Sequence, residues 1–302
     1  MAFRTLFIEN ESNIRIKLEN IVINSGGDDL WIPLSDISII VLDSMKISLT
    51  TRMFSALAEK NIGVVICDQK HLPIGYYSSY DNHSRISKYL KIQVSKKEEF
   101  YESIWKDIIR SKIDNQKNVL DILGMDKNVC QHMEKLKSEI EPGDPTNREA
   151  HAAKIYFNTL MGTSFSRGNP DILLNSALDY GYAIIRAYIA RLCVGYGLNT
   201  QVGIHHKNEY NRFNLVDDLI EPFRPFVDLY AYILLENEKY MTREHRLKLV
   251  GLVNHIITVG ERRMYLANML DEYVSRFAAY VTNSGSREMI FPVVDRRDWG
   301  KG

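Results

Sequence analysis

The segment GIHHKNEYNRFNLVDDLIEPFRP, residues 203–225, sets two imidazoles, His205 and His206, ahead of three carboxylates, Asp217, Asp218 and Glu221. Imidazole with carboxylate is the donor mixture of a first-row divalent metal site such as Mn²⁺, whereas Mg²⁺ prefers oxygen alone. Asp218 and Glu221, three apart on a helical pattern, project together and repel each other unless a cation lies between them. The competing reading is a solvated helix face. Leu215, Val216, Leu219, Ile220 and Phe223 form an apolar stripe, and the three acids lie off it. No compact metal motif of the HExxH kind decides between the two.

A second segment, DPTNREAHAAKIYFNTL (144–160), carries another acid of interest. Thr146-x-x-Glu149 fits a capping box, in which Glu149 reaches back to the helix start. Yet Ala153, Tyr156, Phe157 and Leu160 form the apolar stripe here, and Glu149 lies on it, one turn before Ala153. A carboxylate on a buried face is costly without a partner. A metal ion or a buried base would serve.

The elements that must hold these residues divide the chain in two. From Phe3 to about Ser79 the pattern is that of strands. Ile14, Ile16 and Leu18 alternate with polar residues, and Glu19-Asn20 breaks the run before Ile21-Val22-Ile23, which predicts a hairpin. Apolar runs follow at 30–32, 37–42 and 62–67. Thr50 or Thr51 starts a short helix that turns Met53, Phe54, Leu57 and Ala58 inward. The polar stretch YYSSYDNHS (76–84) reads as a linker.

Beyond it the pattern is helical. Tyr101, Ile104, Trp105, Ile108 and Ile109 make one stripe. Asn169-Pro170-Asp171 opens a helix that carries Leu173, Ala177, Ile184, Ile185, Tyr188, Ile189 and Leu192. Two more helical tracts are expected from about Thr242 to Val259 and from Arg262 to Val281. The fold class is therefore α+β: a small β-rich unit, residues 1–79, followed by a larger all-α unit, residues 80–302.

Composition excludes several classes. Thirty-eight basic residues balance 38 acidic ones, so no general basic coat for nucleic acid exists. Cys67, Cys130 and Cys193 are too few and too scattered for a disulfide framework or a thiolate zinc site. The start reaches charge too soon for a signal peptide, and no run is long enough to span a membrane, so a cytoplasmic protein is expected. No phosphate-binding glycine loop is present, so chemistry driven by nucleotide hydrolysis is not expected.

Three segments in order, NREAHAAKIYF (147–157), DYGYA (179–183) and residues 203–225, resemble the CRISPR-associated integrase family, the metal-dependent enzymes of CRISPR adaptation. The likeness extends over nearly the whole chain and is strongest to members from type II systems. It implies a β-rich N-terminal domain, a helical catalytic domain and one metal site per subunit, for Mg²⁺ or Mn²⁺. The implied ligands are Glu149, His206 and Glu221, with Asp218 a further acid beside the metal. The G-x-x-H register selects His206 over His205. Many relatives carry aspartate where Glu221 stands.

The resemblance further implies strand joining: a DNA 3′-hydroxyl attacks a phosphodiester at the leader–repeat junction of a CRISPR array, and one diester is exchanged for another. The partners implied are double-stranded DNA (the captured fragment and the leader–repeat target) and a second copy of the chain. Two such dimers are expected to flank a dimer of a small companion subunit. Arg148, Lys154, Lys207 and Arg224, neighbours of the implied ligands in sequence, are the expected phosphate contacts. Competing functions are a structure-selective metal-dependent DNA endonuclease, a non-catalytic helical DNA-binding scaffold and a metal-dependent hydrolase of small molecules.

Overall fold

A computed structural model describes residues 4–80, 82–169, 171–283 and 288–299. Its first part contains strands β1 (Arg4–Ile8), β2 (Ser12–Lys17), β3 (Asn20–Asn24), β4 (Leu30–Pro33), β5 (Ile37–Leu42) and β6 (Ile47–Leu49), helix α1 (Thr51–Glu59), and strands β7 (Gly63–Cys67) and β8 (Pro73–Tyr77). They form two four-stranded sheets, ordered β1-β5-β7-β8 and β4-β3-β2-β6. Strand β5, ISIIVL, is buried along its whole length. A continuous apolar run of this kind belongs to a strand covered on both faces. One face, through Ile37, Ile40 and Leu42, packs on the second sheet and α1; the other, through Ile39 and Val41, joins the helical core.

The hairpin turns one residue earlier than the pattern suggested. Lys17 pairs with Asn20, so Leu18 and Glu19 form a two-residue turn, both at positive φ (48° and 57°). Two left-handed residues match the twist of the flanking strands, and the turn leaves Leu18 exposed. Helix α1 begins after Thr50, turning Met53 and Leu57 fully inward and leaving Phe54 and Ala58 half-buried. Tyr76 and Tyr77, read as linker, belong to β8.

The second part comprises α2 (Ile86–Ser95), α3 (Glu98–Ile122), α4 (Lys127–Ser138), α5 (Arg148–Met161), α6 (Leu173–Gly195), α7 (Asn214–Leu219), α8 (Arg224–Leu234), α9 (Arg243–Gly251), β9 (Ile256–Val259), β10 (Arg262–Tyr265) and α10 (Leu266–Thr282). Helix α6 starts at Leu173, later than expected; Asn169 folds its side chain onto the Asp171 amide and Pro170 lies outside the described residues. The unit is not all helical. Residues 256–265, read as parts of two helices, form an antiparallel hairpin. The β-branched run Ile256-Ile257-Thr258-Val259 favours a strand, and Gly260 at φ 63° supplies the left-handed turn residue.

Two close approaches place the site. Gly181 on α6 lies against α8, where a β-carbon would meet Val227 at 2.5 Å. Buried Asn115 on α3 donates to the carbonyls of Pro222 (2.9 Å) and Pro292 (3.0 Å) and accepts from the Val294 amide (2.9 Å). That one amide ties α3, the turn after α7 and the 288–299 segment together.

Candidate functional site

Helix α5 brings in Glu149. Its N-cap is Asn147, whose side chain accepts from the Ala150 amide, while Asp144 accepts from the amides of Arg148 and Glu149. The helix start is thus satisfied without Glu149, and the capping box read at Thr146 does not form. Glu149 turns instead to the ammonium of Lys112 on α3. Lys112 is buried and reaches Glu221 Oε2 as well, at 2.5 Å. Glu221 sits in a 3₁₀ turn (Glu221–Phe223) between α7 and α8, where Pro222 opens the turn and Pro225 starts α8.

The solvated-face reading of this segment fails for two of its three acids. Asp218 and Glu221 are buried, because α7 is short and enclosed by α3, α6 and the loop before it. Asp217 is half-exposed and takes two bonds from Arg186 on α6, 2.7 and 2.8 Å. Arg224 donates to Glu221 Oε1 at 2.7 Å. Burial pushes the Glu221 carboxyl up, but the charges of Lys112 and Arg224 outweigh it and hold Glu221 down at about 2. Burial likewise disfavours the Lys112 ammonium, and Glu221 and Glu149 more than restore it.

Asp218 holds the loop and the ring of His206 in place. Its oxygens accept from the amides of Ile204 (2.6 Å), His205 (3.0 Å) and His206 (3.2 Å), and from His206 Nδ1 (2.5 Å). The loop wraps so tightly that a β-carbon on Gly203 would lie 2.2 Å from the His206 carbonyl and 3.0 Å from Asp218. The glycine of G-x-x-H is therefore a steric requirement of this turn. With Nδ1 held, the His206 ring presents Nε2 outward, the arrangement by which a carboxylate orients a metal-binding histidine. The bond to Asp218 raises the His206 pKa, against the pull of burial; Asp218, Glu221 and Asp217 add their charge.

His205 is placed otherwise. Its ring stacks on buried Trp105, centroids 4.4 Å apart and planes 2° from parallel. It lines a groove of about 990 Å³ together with Lys96, Trp105, His206, Tyr210 and Arg212. The groove reaches His206 and stops short of Lys112, Glu149 and Glu221. Its charges are mixed, since Glu98, Glu102 and Glu209 line it alongside the basic residues.

The four basic residues singled out from sequence are not equivalent. Lys154 is exposed. Lys207 is exposed and paired with Glu98 at 2.7 Å. Arg148 pairs with Glu139 at 3.1 Å. Arg224 is turned inward, on Glu221 and over the Tyr182 ring at 4.6 Å, so it orients a carboxylate and is not a free phosphate contact.

Sequence reasoning missed two members of this neighbourhood. Lys112 continues the stripe of Trp105, Ile108 and Ile109, and a base on an apolar face was the available signal. Asp228 on α8 is buried, and the Tyr182 hydroxyl donates to it. Burial pushes this carboxyl up to about 6, although Tyr182, Tyr156 and Arg224 pull the other way.

Among the described residues no three His, Cys, Asp or Glu side chains are drawn together round one point; the Lys112 ammonium fills the place between two carboxylates. The set nonetheless fits a divalent cation. Two carboxylates from separate elements already converge on one positive charge, and the buried Glu221 Oε2 accepts no hydrogen bond beyond that ion pair. An imidazole with a fixed Nδ1 stands close enough for Glu221 to act on its charge.

The model of the family described as CRISPR associated protein Cas1 matches residues 6–255. The CRISPR-associated endonuclease Cas1 of Neisseria meningitidis serogroup C is 34% identical over 297 residues, covering 97% of each chain. Among solved structures, a casposase bound to integration product superposes with a TM-score of 0.79 at 18% identity, covering 99% of this chain and 96% of that one. A Cas6-RT-Cas1–Cas2 complex gives 0.77 at 19%, covering 97% of this chain and 36% of that one.

Proposed function

The chain belongs to the Cas1 family of CRISPR-associated proteins, and on that premise we propose that it is a metal-dependent DNA integrase that inserts new spacers into a CRISPR array. The observation that carries the metal reading is the convergence of Glu149 and Glu221 on one buried cation, beside a histidine locked by Asp218. Glu149, His206 and Glu221 are the residues that hold Mg²⁺ or Mn²⁺. The bound ion supplies stabilisation of the charge that builds on a phosphodiester under attack. Asp218 fixes the histidine tautomer, and Arg224 keeps Glu221 ionised and oriented.

The reaction is a transesterification. The 3′-hydroxyl oxygen of a captured fragment bonds to phosphorus at the leader–repeat junction. The bond to the target strand's own 3′-oxygen breaks, and that oxygen leaves with the proton the attacking hydroxyl gave up. The groove beside His206 is the approach for that strand, with the His205–Trp105 stack as its apolar wall. The similar casposase was captured with an integration product, and the Cas6-RT-Cas1 complex contains Cas2. The first supports strand joining and the second a companion subunit; the reading is completed by two homodimers, formed through residues 1–79, on either side of that subunit.

The test joins a short duplex with free 3′-hydroxyls to a plasmid bearing a leader–repeat, with Mn²⁺ or Mg²⁺ and after chelation. Joined product that disappears with EDTA and returns with Mn²⁺ is expected. Metal-dependent nicking without joined product would make the chain an endonuclease only, and DNA binding with neither would leave a scaffold.

A further inference from the structure

Lys112, Arg224, Glu149 and Glu221 form a set of two positive and two negative charges whose sum is zero. Lys112 and Glu221 are buried. A divalent cation seated on the same carboxylates would leave this set, half of it buried, at plus two, a costly imbalance where buried charges must be paired. One of the resident cations therefore has to give way. Arg224 is fixed by its bond to Glu221 and its stacking on Tyr182. Among the described residues Lys112 is held by the two carboxylates alone, at the end of a flexible four-carbon stem. An ammonium displaced from a buried position needs a new anion, and the anion a DNA integrase brings to its own site is a phosphate.

We propose that Lys112 is an internal competitor for the metal that makes metal occupancy depend on DNA. Without DNA the ammonium holds Glu149 and Glu221. When a phosphodiester enters, the ammonium passes to a phosphate oxygen and frees the carboxylates. Coupling of this kind is reciprocal: DNA tightens metal binding by the factor by which metal tightens DNA binding. The inference rests on Glu149 and Glu221 being metal ligands, and the experiment separates the two.

Mn²⁺ binding to the full-length protein is measured by the loss of the free-ion EPR signal, with and without a short duplex carrying 3′ overhangs. In the wild type DNA should tighten Mn²⁺ binding by about tenfold or more, within the usual range of coupling. Lys112→Met should bind Mn²⁺ roughly tenfold tighter than wild type in the absence of DNA, the size of effect seen when a neighbour of a metal ligand changes. Its remaining gain from DNA should fall to within about twofold. Lys112→Arg keeps a cation and should keep the coupling. Lys112→Met that binds Mn²⁺ no tighter than wild type without DNA overturns the proposal. So does a wild type whose Mn²⁺ affinity ignores DNA, a result that stands even if the methionine variant does not fold. Unchanged Mn²⁺ binding in both Glu149→Gln and Glu221→Gln would instead overturn the ligand reading itself.

Discussion

Glu221 and Asp228 are buried acids two helical turns apart in sequence, yet the fold drives their protonation in opposite directions. Glu221 meets two cations, Lys112 and Arg224, and is held at about 2. Asp228 is pushed up by burial to about 6, because the hydroxyls of Tyr182 and Tyr156 and the more distant charges of Arg224 and Arg167 do not offset it. The two environments share Arg224, whose guanidinium bonds one carboxylate and lies over the tyrosine that serves the other. Burial raises both acids, and the cations bonded to Glu221 but not to Asp228 decide the difference between them. Glu221 is an anion prepared for another cation, while Asp228 is a polar strut between α6 and α8.

The largest expected effect breaks the pair apart by function. Glu149→Ala and Glu221→Gln should each lower strand joining by several orders of magnitude, because on the proposed reading each removes a ligand of the catalytic metal. Asp228→Asn should stay within about tenfold of wild type, as expected of a residue that does not touch the reacting groups. The joining assay in Mn²⁺ decides. Near-normal joining by Glu149→Ala would remove that residue from the catalytic set.

Next comes the histidine pair. His206→Ala should be far more damaging than His205→Ala, which loses only the stacked wall on Trp105; the second loss should fall in the range of about 10–100-fold. Equal losses would shift the ligand assignment by one residue.

The protonation contrast itself gives a smaller and cleaner signal. Asp228 has a folded pKa above its ordinary 3.8, so its contribution to stability is present below about 3.8 and is lost as pH rises through about 6. Asp228→Asn removes that loss. Its unfolding free energy from urea titration should therefore gain on wild type between pH 4 and pH 7, by an amount on the order of 2 kcal/mol. Glu221 runs the other way: its contribution is present above about 4.5 and is lost as pH falls towards 2. A free-energy difference between Asp228→Asn and wild type that is flat across this range would mean Asp228 is ionised like an ordinary aspartate.

The smallest effect concerns DNA. Each true phosphate contact contributes about −0.9 to the log–log salt slope of duplex binding. Lys154→Ala and Lys207→Ala should each flatten the slope by about one unit without changing Mn²⁺ affinity, whereas Arg224→Ala should disturb the metal site. A slope near zero in the wild type would deny any basic track.

Much of this site was legible because it breaks the local rules of its own helices. Glu149 on an apolar stripe asked for a metal or a buried base, and the structure supplies the base at Lys112. The same signal lay unused at Lys112, one turn beyond Ile108 on the stripe of α3. Strand β2 was readable from alternation and β3, β4, β5 and β7 from short apolar runs, whereas β1 and β6 gave no separate signal and part of β8 read as linker. The α1 start was readable too, but not the exact hairpin register, since two non-glycine residues take left-handed turn positions there. The β9–β10 hairpin hid in a run whose apolar spacing also suits a helix, and its marks were the β-branched residues 256–259 and Gly260. Asp228 left no mark, because its reason for being buried, Tyr182, comes from another helix.

Asn115 has a meaning for anyone who cuts or extends this chain. Its amide spends one bond on Pro222, the residue after Glu221, and two on Pro292 and Val294. Shortening the chain before residue 288 would not trim an idle tail. It would strip a buried amide of two partners, a penalty of about 1–3 kcal/mol for each group left unpaired. It would also leave Asn115, which ties the turn carrying Glu221 to α3, without the bracing of the 288–299 segment. A truncated enzyme could then fold, bind DNA and still join it poorly, the fault lying at a residue far back along the chain yet one side chain away from the deleted segment.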